Sequence, residues 1–294
     1  MKQQAAVHEF RASRVGRLPF GDGRLGEDDF RVILRSDAAG VMEVPGLPNA
    51  FVAIHAGPSV HVACRRGGQR HAGRAVYGDI DIIPAGTPCV WEMKGKDTAL
   101  LLRISPGLIR AAAEHMEIDP RSVELRNRFQ MRDSAIENIG WALKAEMEAG
   151  YPSGRLYLES MAMSVAARLV RCYSSAAVQL PRKTGRMAGI QLRRVLGYIE
   201  DNLGRDISLA DVAAVAELSV SHCKAVFSES MGLPVHQYVI RRRVEYAKKL
   251  LQLGKMPISQ IALEAGFAHQ SHLARHMRRL LGVSPRNAQR EIER

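Results

Sequence analysis

Residues 207–290 carry the same apolar pattern twice, and no other feature restricts the fold as much. Leu209, Val212, Ala213 and Ala216 recur 49 positions later as Ile258, Ile261, Ala262 and Ala265. Cys223, Phe227 and Gly232 recur 50 positions later as Leu273, Met277 and Gly282. The change of offset falls in the middle of the unit, where a turn absorbs an inserted residue at least cost. Each copy begins with apolar residues at helical spacing. Ser208 stands before the first as an N-cap, with Asp211 three residues on as an acidic variant of the capping pattern.

A tight turn is predicted at Leu218-Ser219 in the first copy and at Gly266-Phe267 in the second. A second helix follows. Its buried face is read as Val220, Cys223, Val226 and Phe227 in copy one, and as Leu273, Met277, Leu280 and Leu281 in copy two. Two helices joined by a short turn form the helix-turn-helix unit, whose second helix enters the major groove of DNA. The residues left over are polar and small. Ser221, Lys224 and Ala225, with Gln270, Ser271, His272 and Arg275, are the expected base contacts. Gln pairs with adenine and Arg or Lys with guanine, while Ser is less selective. Ser228, Arg278 and Arg279 are expected on phosphates. A solvated face explains one such helix; two copies, both with basic residues opposite the apolar side, make it the minority reading.

Between the copies, residues 234–253 carry Tyr238, Val239, Val244, Ala247, Leu250 and Leu251 at helical spacing, with Pro234 at the start and Gly254 and Pro257 at the end. Such a helix spans roughly 28 Å, close to the ~34 Å between successive major-groove faces. A rigid connector of that length places both recognition helices on one side of a duplex. Arg241 and Arg242 are assigned to phosphates, the alternative being the wet side of the connector. For Arg243 inward packing is the other reading.

These residues resemble the DNA-binding domain of the AraC/XylS-type bacterial transcription regulators. The signature is Ala265-Gly266-Phe267, Gln270-Ser271-His272-Leu273, Arg275 and Gly282-Val283-Ser284-Pro285, and the likeness covers roughly the last hundred residues. Leu273 and Met277 stand where the family often has aromatics, and Asn287-Ala288 replaces its usual tyrosine-containing ending. The resemblance implies a transcription regulator, an activator more than a repressor. It implies double-stranded DNA as partner, RNA polymerase as a second partner if it activates, and a homodimer assembled by helices after the N-terminal barrel.

Charge agrees with the DNA reading. The formal net charge is +12 over 294 residues, with +9 from residue 181 onward and +3 before it. A basic excess gathered on one part of the chain is the footprint of phosphate binding. The length suggests about two domains. Cys64, Cys89, Cys172 and Cys223 form no CxxC pair, so neither a zinc knuckle nor a redox pair is expected, and Cys223 reads as a small core residue. No signal-peptide pattern opens the chain, and no apolar run approaches a membrane span. A cytoplasmic protein without membrane contact is expected.

Residues 1–28 are polar and basic and read as a loose arm. Over residues 30–104 the pattern is β, in short runs at 51–54, 60–64, 74–77, 79–83, 89–93 and 98–104 separated by turn residues such as Ala56-Gly57-Pro58. Short, closely spaced strands favour a small sandwich or barrel. Gly78 and, after five intervening residues, Pro84-Ala85-Gly86 resemble the second motif of cupin barrels. The family's metal-binding members carry a His where this chain has Cys89, and the His-x-His of the first motif is missing. Thus no metal and no cofactor are expected. His55, His61 and Trp91 are the candidates for contact with a small-molecule effector, and His71 for a polar position beside such a pocket. Helices are predicted over 108–117, 134–149 and 156–173.

The expected fold is therefore α+β: a cupin-like N-terminal β-barrel with following helices, and an all-α C-terminal domain with two helix-turn-helix motifs. The domains read as 1–175 (barrel 30–104, helices 108–173), a linker over 176–189 with Pro181-Arg182-Lys183-Thr184-Gly185 as its polar centre, and a DNA-binding domain over 190–294. The leading function is a DNA-binding regulator, not an enzyme, controlled by an effector or by dimerisation. Two competitors are a cupin-type metalloenzyme carrying a DNA module and a protein–protein adaptor built on helix-turn-helix folds. The missing cupin histidines count against the first, and the charge distribution against the second.

Overall fold

The computed structural model describes residues 29–176, 187, 189–254 and 256–290. The arm over 1–28 and the centre of the predicted linker lie outside them. The chain divides into two compact units, Met1–Pro181 and Arg182–Arg294.

In the first unit the strands are β1 (Phe30–Asp37), β2 (Gly40–Val44), β3 (Ala50–His55), β4 (Val60–Arg66), β5 (Gln69–Ala75), β6 (Ile80–Ile83), β7 (Cys89–Met93), β8 (Asp97–Ile104) and β9 (Arg128–Met131). The helices are α1 (Pro106–His115), α2 (Ser134–Glu148) and α3 (Gly154–Tyr173). The strands do not close into one barrel. They form a five-stranded sheet in the order β1-β8-β3-β6-β9 and a four-stranded sheet in the order β2-β7-β4-β5.

Alternation in the strands explains the layering. Val32, Leu102, Val52 and Ile82 lie directly opposite one another across four strands, and all are fully buried. They share one core with Leu108 and Ala112 of α1, Ile136 and Leu143 of α2, and Leu158, Val165 and Leu169 of α3. Each buried Val, Leu or Ile among them contributes about 1.5–3 kcal/mol. One whole face of this sheet is thus spent on helices. Close approach needs Gly140: a Cβ there would stand 2.3 Å from Ile54 Cδ1. Strand β9 was not predicted, because Arg-Phe-Gln-Met shows no alternation; it exists by pairing with the edge of β6. Residues 74–77 were read as one run, whereas β5 ends at Ala75.

The second unit is helical: α4 (Gly189–Asp201), α5 (Leu209–Val215), α6 (Val220–Met231), α7 (Val235–Leu253), α8 (Ile258–Glu264), α9 (Gln270–Leu281) and α10 (Pro285–Arg290). Helix ends follow local chemistry. Ser208 and Asp211 form the reciprocal capping box. Gly232, Gly254 and Gly282 end α6, α7 and α9 in the left-handed conformation. The second repeat packs Ile261, Ala262, Ala265, Phe267, Leu273 and Met277 against Val244, Ala247 and Leu251 of α7. Ala288 of α10 packs on the same cluster. Two expected core residues do not behave as such, Val220 at 45% exposed and Leu280 at 42% exposed, while half-buried Leu281 packs against the cluster. Val220 opens its helix before the packed turn begins, and Leu280 lies in the last turn of α9, where no neighbouring helix covers it.

Candidate nucleic-acid interface

Each helix-turn-helix aims one face of its second helix away from the core. In the first module, Cys223, Val226 and Phe227 are buried, and Phe227 meets Tyr238 of α7 edge-on at 5.7 Å. Burial raises the thiol pKa of Cys223, in keeping with a core role. On the opposite side Ser221, Lys224 and Ala225 are exposed and Ser228 is half-buried. In the second module Leu273, His276 and Met277 are buried. Ser271, Arg275, Arg278 and Arg279 are exposed, and Gln270 and His272 are half-buried. Ser271, Arg275 and Arg279 are four residues apart and therefore form one ridge.

The turns explain the changing repeat offset. Glu217 and Gly266, 49 apart, hold the left-handed turn at φ 56° and 79°. The caps of the second helices, Ser219 and His269, are 50 apart. Ala268 is the extra residue. The cap at His269 was not foreseen, although the 50-residue offset from Ser219 points to it. Its Nδ1 accepts the backbone N–H of His272 at 3.2 Å and lies 2.8 Å from Ser271 Oγ. Further along, Nε2 of His272 is 3.1 Å from Nε2 of His276. Both rings have lowered pKa values. Burial is the main cause for each, followed by Arg275 for His272 and by His272 for His276.

The connecting helix α7 corrects the phosphate assignment. Arg242 is 2% exposed and donates from Nε and Nη2 to both carboxylate oxygens of Glu200 on α4, at 2.6 and 2.8 Å. It cannot face DNA. Arg241 remains half-buried. Arg243 packs inward, donating to the carbonyls of Leu203 and Arg205. The same guanidinium lies against Gly266 of the second module, where a Cβ would come within 2.7 Å of its Nε and 2.2 Å of the Leu203 carbonyl. The loop after α4 also approaches α8, since a Cβ on Gly204 would stand 2.7 Å from the Glu264 carbonyl. Arg242, Arg243 and these glycines tie both modules to α7.

In the first unit the effector candidates have separate commitments. His55 is buried, with Nδ1 2.8 Å from Asp97 and Nε2 2.8 Å from the Pro58 carbonyl. His61 is exposed on β4, opposite Arg74. His71 stacks on Phe129 and pairs with Gln130 at 2.7 Å. Trp91 is half-buried, 5.2 Å from the guanidinium of Arg66. Of these, His71 and Trp91 come together, both opposite Cys64 of β4 and both beside the Arg66–Phe129 stack, whereas His55 and His61 make their contacts elsewhere. What sequence reasoning missed is Arg66, which is 1% exposed. It binds Asp81 at 2.7 Å and Asn127 at 2.6 Å, and its guanidinium lies 4.0 Å from the Phe129 ring centre. Burial raises the pKa of Asp81 and Arg66 opposes that rise. No local signal separates Arg66 from exposed Arg65, since only strand parity and partners on β6 and β9 distinguish them. Among the described residues no group of three His, Cys, Asp or Glu side chains is arranged to hold a metal. No helix among them is long and apolar enough to cross a membrane.

A family model described as a helix-turn-helix domain matches residues 212–291. The probable transcriptional regulator LumQ of Photobacterium leiognathi is 43% identical over 88 residues, 30% of this chain and 36% of that protein. The chain thus matches little more than a third of LumQ's length. The transcriptional activator AarP of Providencia stuartii is 31% identical over 113 residues, 38% of this chain and 84% of that protein. Among solved structures, a probable AraC family transcriptional regulator from Rhodopseudomonas palustris is 28% identical, covering 35% of this chain and 97% of that one at a TM-score of 0.33.

Proposed function

The chain belongs to the AraC/XylS-type family of DNA-binding bacterial transcription regulators, and from that premise we propose how it reads and regulates. Both recognition helices enter successive major grooves on one side of the duplex. Ser221, Lys224 and Ala225 of α6, with Gln270, Ser271, His272 and Arg275 of α9, meet base edges. Ser228, Arg241, Arg278 and Arg279 meet phosphates. The observation that carries this reading is the pair of exposed polar faces held on one α7 scaffold by buried Arg242 and inward Arg243. A scaffold pinned in this way spends little entropy on aligning its second contact.

The division of labour follows. Residues 190–294 bind DNA, 176–189 link, and 1–175 form a cupin-like module that senses a small molecule or assembles a homodimer through 108–173. The face of the five-stranded sheet turned away from the helices, where Arg66 of the four-stranded sheet holds Asp81, supports sensing. Phe51, Leu101 and Ile33 lie there, half-buried, beside Arg31 and Arg103, a mixed apolar and cationic surface suited to a small organic anion. Activation, with RNA polymerase as the second partner, is the regulatory outcome of this reading; AarP is itself named an activator. The decisive experiment selects bound sequences from random duplex DNA with the full chain. Two conserved blocks about one helical turn apart are expected; a single block, or no enrichment, sinks the reading.

A further inference from the structure

The first turn of α9 contains a hydrogen-bond chain whose direction is determined by geometry. His269, the N-cap, accepts the His272 backbone N–H at Nδ1. A nitrogen that accepts carries no proton, so the neutral ring is protonated at Nε2. Ser271 Oγ lies 2.8 Å from that same bare Nδ1. The hydroxyl must therefore donate, and its one proton is spent inside the protein. Toward solvent Ser271 presents lone pairs only.

Ser271 is exposed, second in α9 and one turn before Arg275. The N-terminal residues of a recognition helix are those that reach base edges. A free serine hydroxyl pairs with donors and acceptors alike, which is why serine discriminates poorly. We propose that His269 removes this indifference: it fixes Ser271 as a hydrogen-bond acceptor and makes it a reader of exocyclic amino groups, adenine N6 or cytosine N4. Guanine and thymine present only acceptors at that edge of the major groove and are rejected. His269 is a positioning residue, since it acts through Ser271. The inference rests on the reading of α9 as a groove helix.

The first module supplies an internal control. Its cap is Ser219, whose Oγ accepts from the His222 N–H. Among the described residues, the side chain of Ser221, the counterpart of Ser271, makes no hydrogen bond. Ser221 keeps its proton free and stays indifferent.

The test is selection of bound duplexes by the full chain and by His269→Ser, His269→Asn, Ser271→Ala and Arg275→Ala. The parent should favour A or C at one position beside the guanine read by Arg275, by about two- to tenfold, the worth of one hydrogen bond. His269→Ser copies the cap of the first module, so α9 keeps its start while Ser271 regains its proton. The preference should vanish at that position alone. His269→Asn places Oδ1 near the position of Nδ1 and should restore it, and Ser271→Ala should abolish it. A parent that accepts G or T equally there, or a preference that survives His269→Ser, overturns the proposal. If Arg275→Ala also leaves every position unchanged, the reading of α9 as the groove helix has failed, and this inference falls with it.

Discussion

Helices α6 and α9 occupy equivalent places in two copies of one scaffold, yet beyond a shared Ser-His their outer faces differ. At the 50-residue offset, Ala225, Ser228 and Glu229 of the first module correspond to Arg275, Arg278 and Arg279 of the second. Lys224 corresponds to Ala274. The buried positions are far more alike: Cys223 matches Leu273, and Phe227 matches Met277, all fully buried. Packing constrains the inner face to apolar side chains of compatible volume, whereas the outer face is free to diverge. The outer face of the second module is therefore the more basic of the two, and on the proposed reading it supplies most of the phosphate contacts.

The largest effect should come from breaking the pairing itself. Deleting Gln237 from α7 turns the helix that follows by about 100° and shortens it by about 1.5 Å. Affinity for a two-block site should drop by roughly 10²–10⁴, because the second contact loses its intramolecular advantage. Titration on the selected site checks this, with thermal unfolding followed in parallel. A deletion that binds like the parent would show that the modules do not act as a rigid pair.

Next come the two turns. Gly266→Ala meets both a left-handed backbone and the Leu203 carbonyl, so it should destabilise the second unit by well over the ~1–2 kcal/mol of the backbone term alone. Glu217→Gly, at the equivalent turn, relieves that term and should stabilise by up to ~1 kcal/mol. Denaturant midpoints should move in opposite directions; equal losses would contradict the equivalence of the turns.

Base reading is a smaller effect. Arg275→Ala should weaken specific binding by about 1–3 kcal/mol and relax one base position. The reciprocal change, Ala225→Arg, should create a new guanine preference in the first block. If specific and non-specific binding fall together in Arg275→Ala, Arg275 is a phosphate contact instead.

The smallest effect separates the electrostatic roles. Arg279→Gln should reduce the slope of log affinity against log salt by about 0.9. Glu229→Gln, at the matching position, should leave that slope nearly unchanged and alter affinity slightly and by the same factor across the series. Binding measured across a salt series distinguishes them.

Most of the second unit was legible because its signals are local. Capping residues, terminal glycines and apolar residues three and four apart act within a turn or two of chain. The repeat then doubled the evidence by showing the same spacing twice. The His269 cap escaped the sequence reading, because a histidine is not among the usual capping residues, although it lies 50 residues after the Ser219 cap.

Local signals end where distant partners begin. Arg241, Arg242 and Arg243 are consecutive and chemically identical, and only position on α7 separates their fates. Glu200, 42 residues away, claims Arg242, while the carbonyls of Leu203 and Arg205 claim Arg243. The open sheets of the first unit were decided in the same way. Strand alternation revealed which residues share a face, but whether that face meets helices or another sheet depends on β2 finding β7 and β9 finding β6. The repeat, the helix limits and the basic outer face are consequences of short-range order and belong to the sequence alone. Which charges are buried, and how the sheets terminate, depend on contacts between residues tens of positions apart, whose desolvation and pairing arise only when the chain has closed on itself.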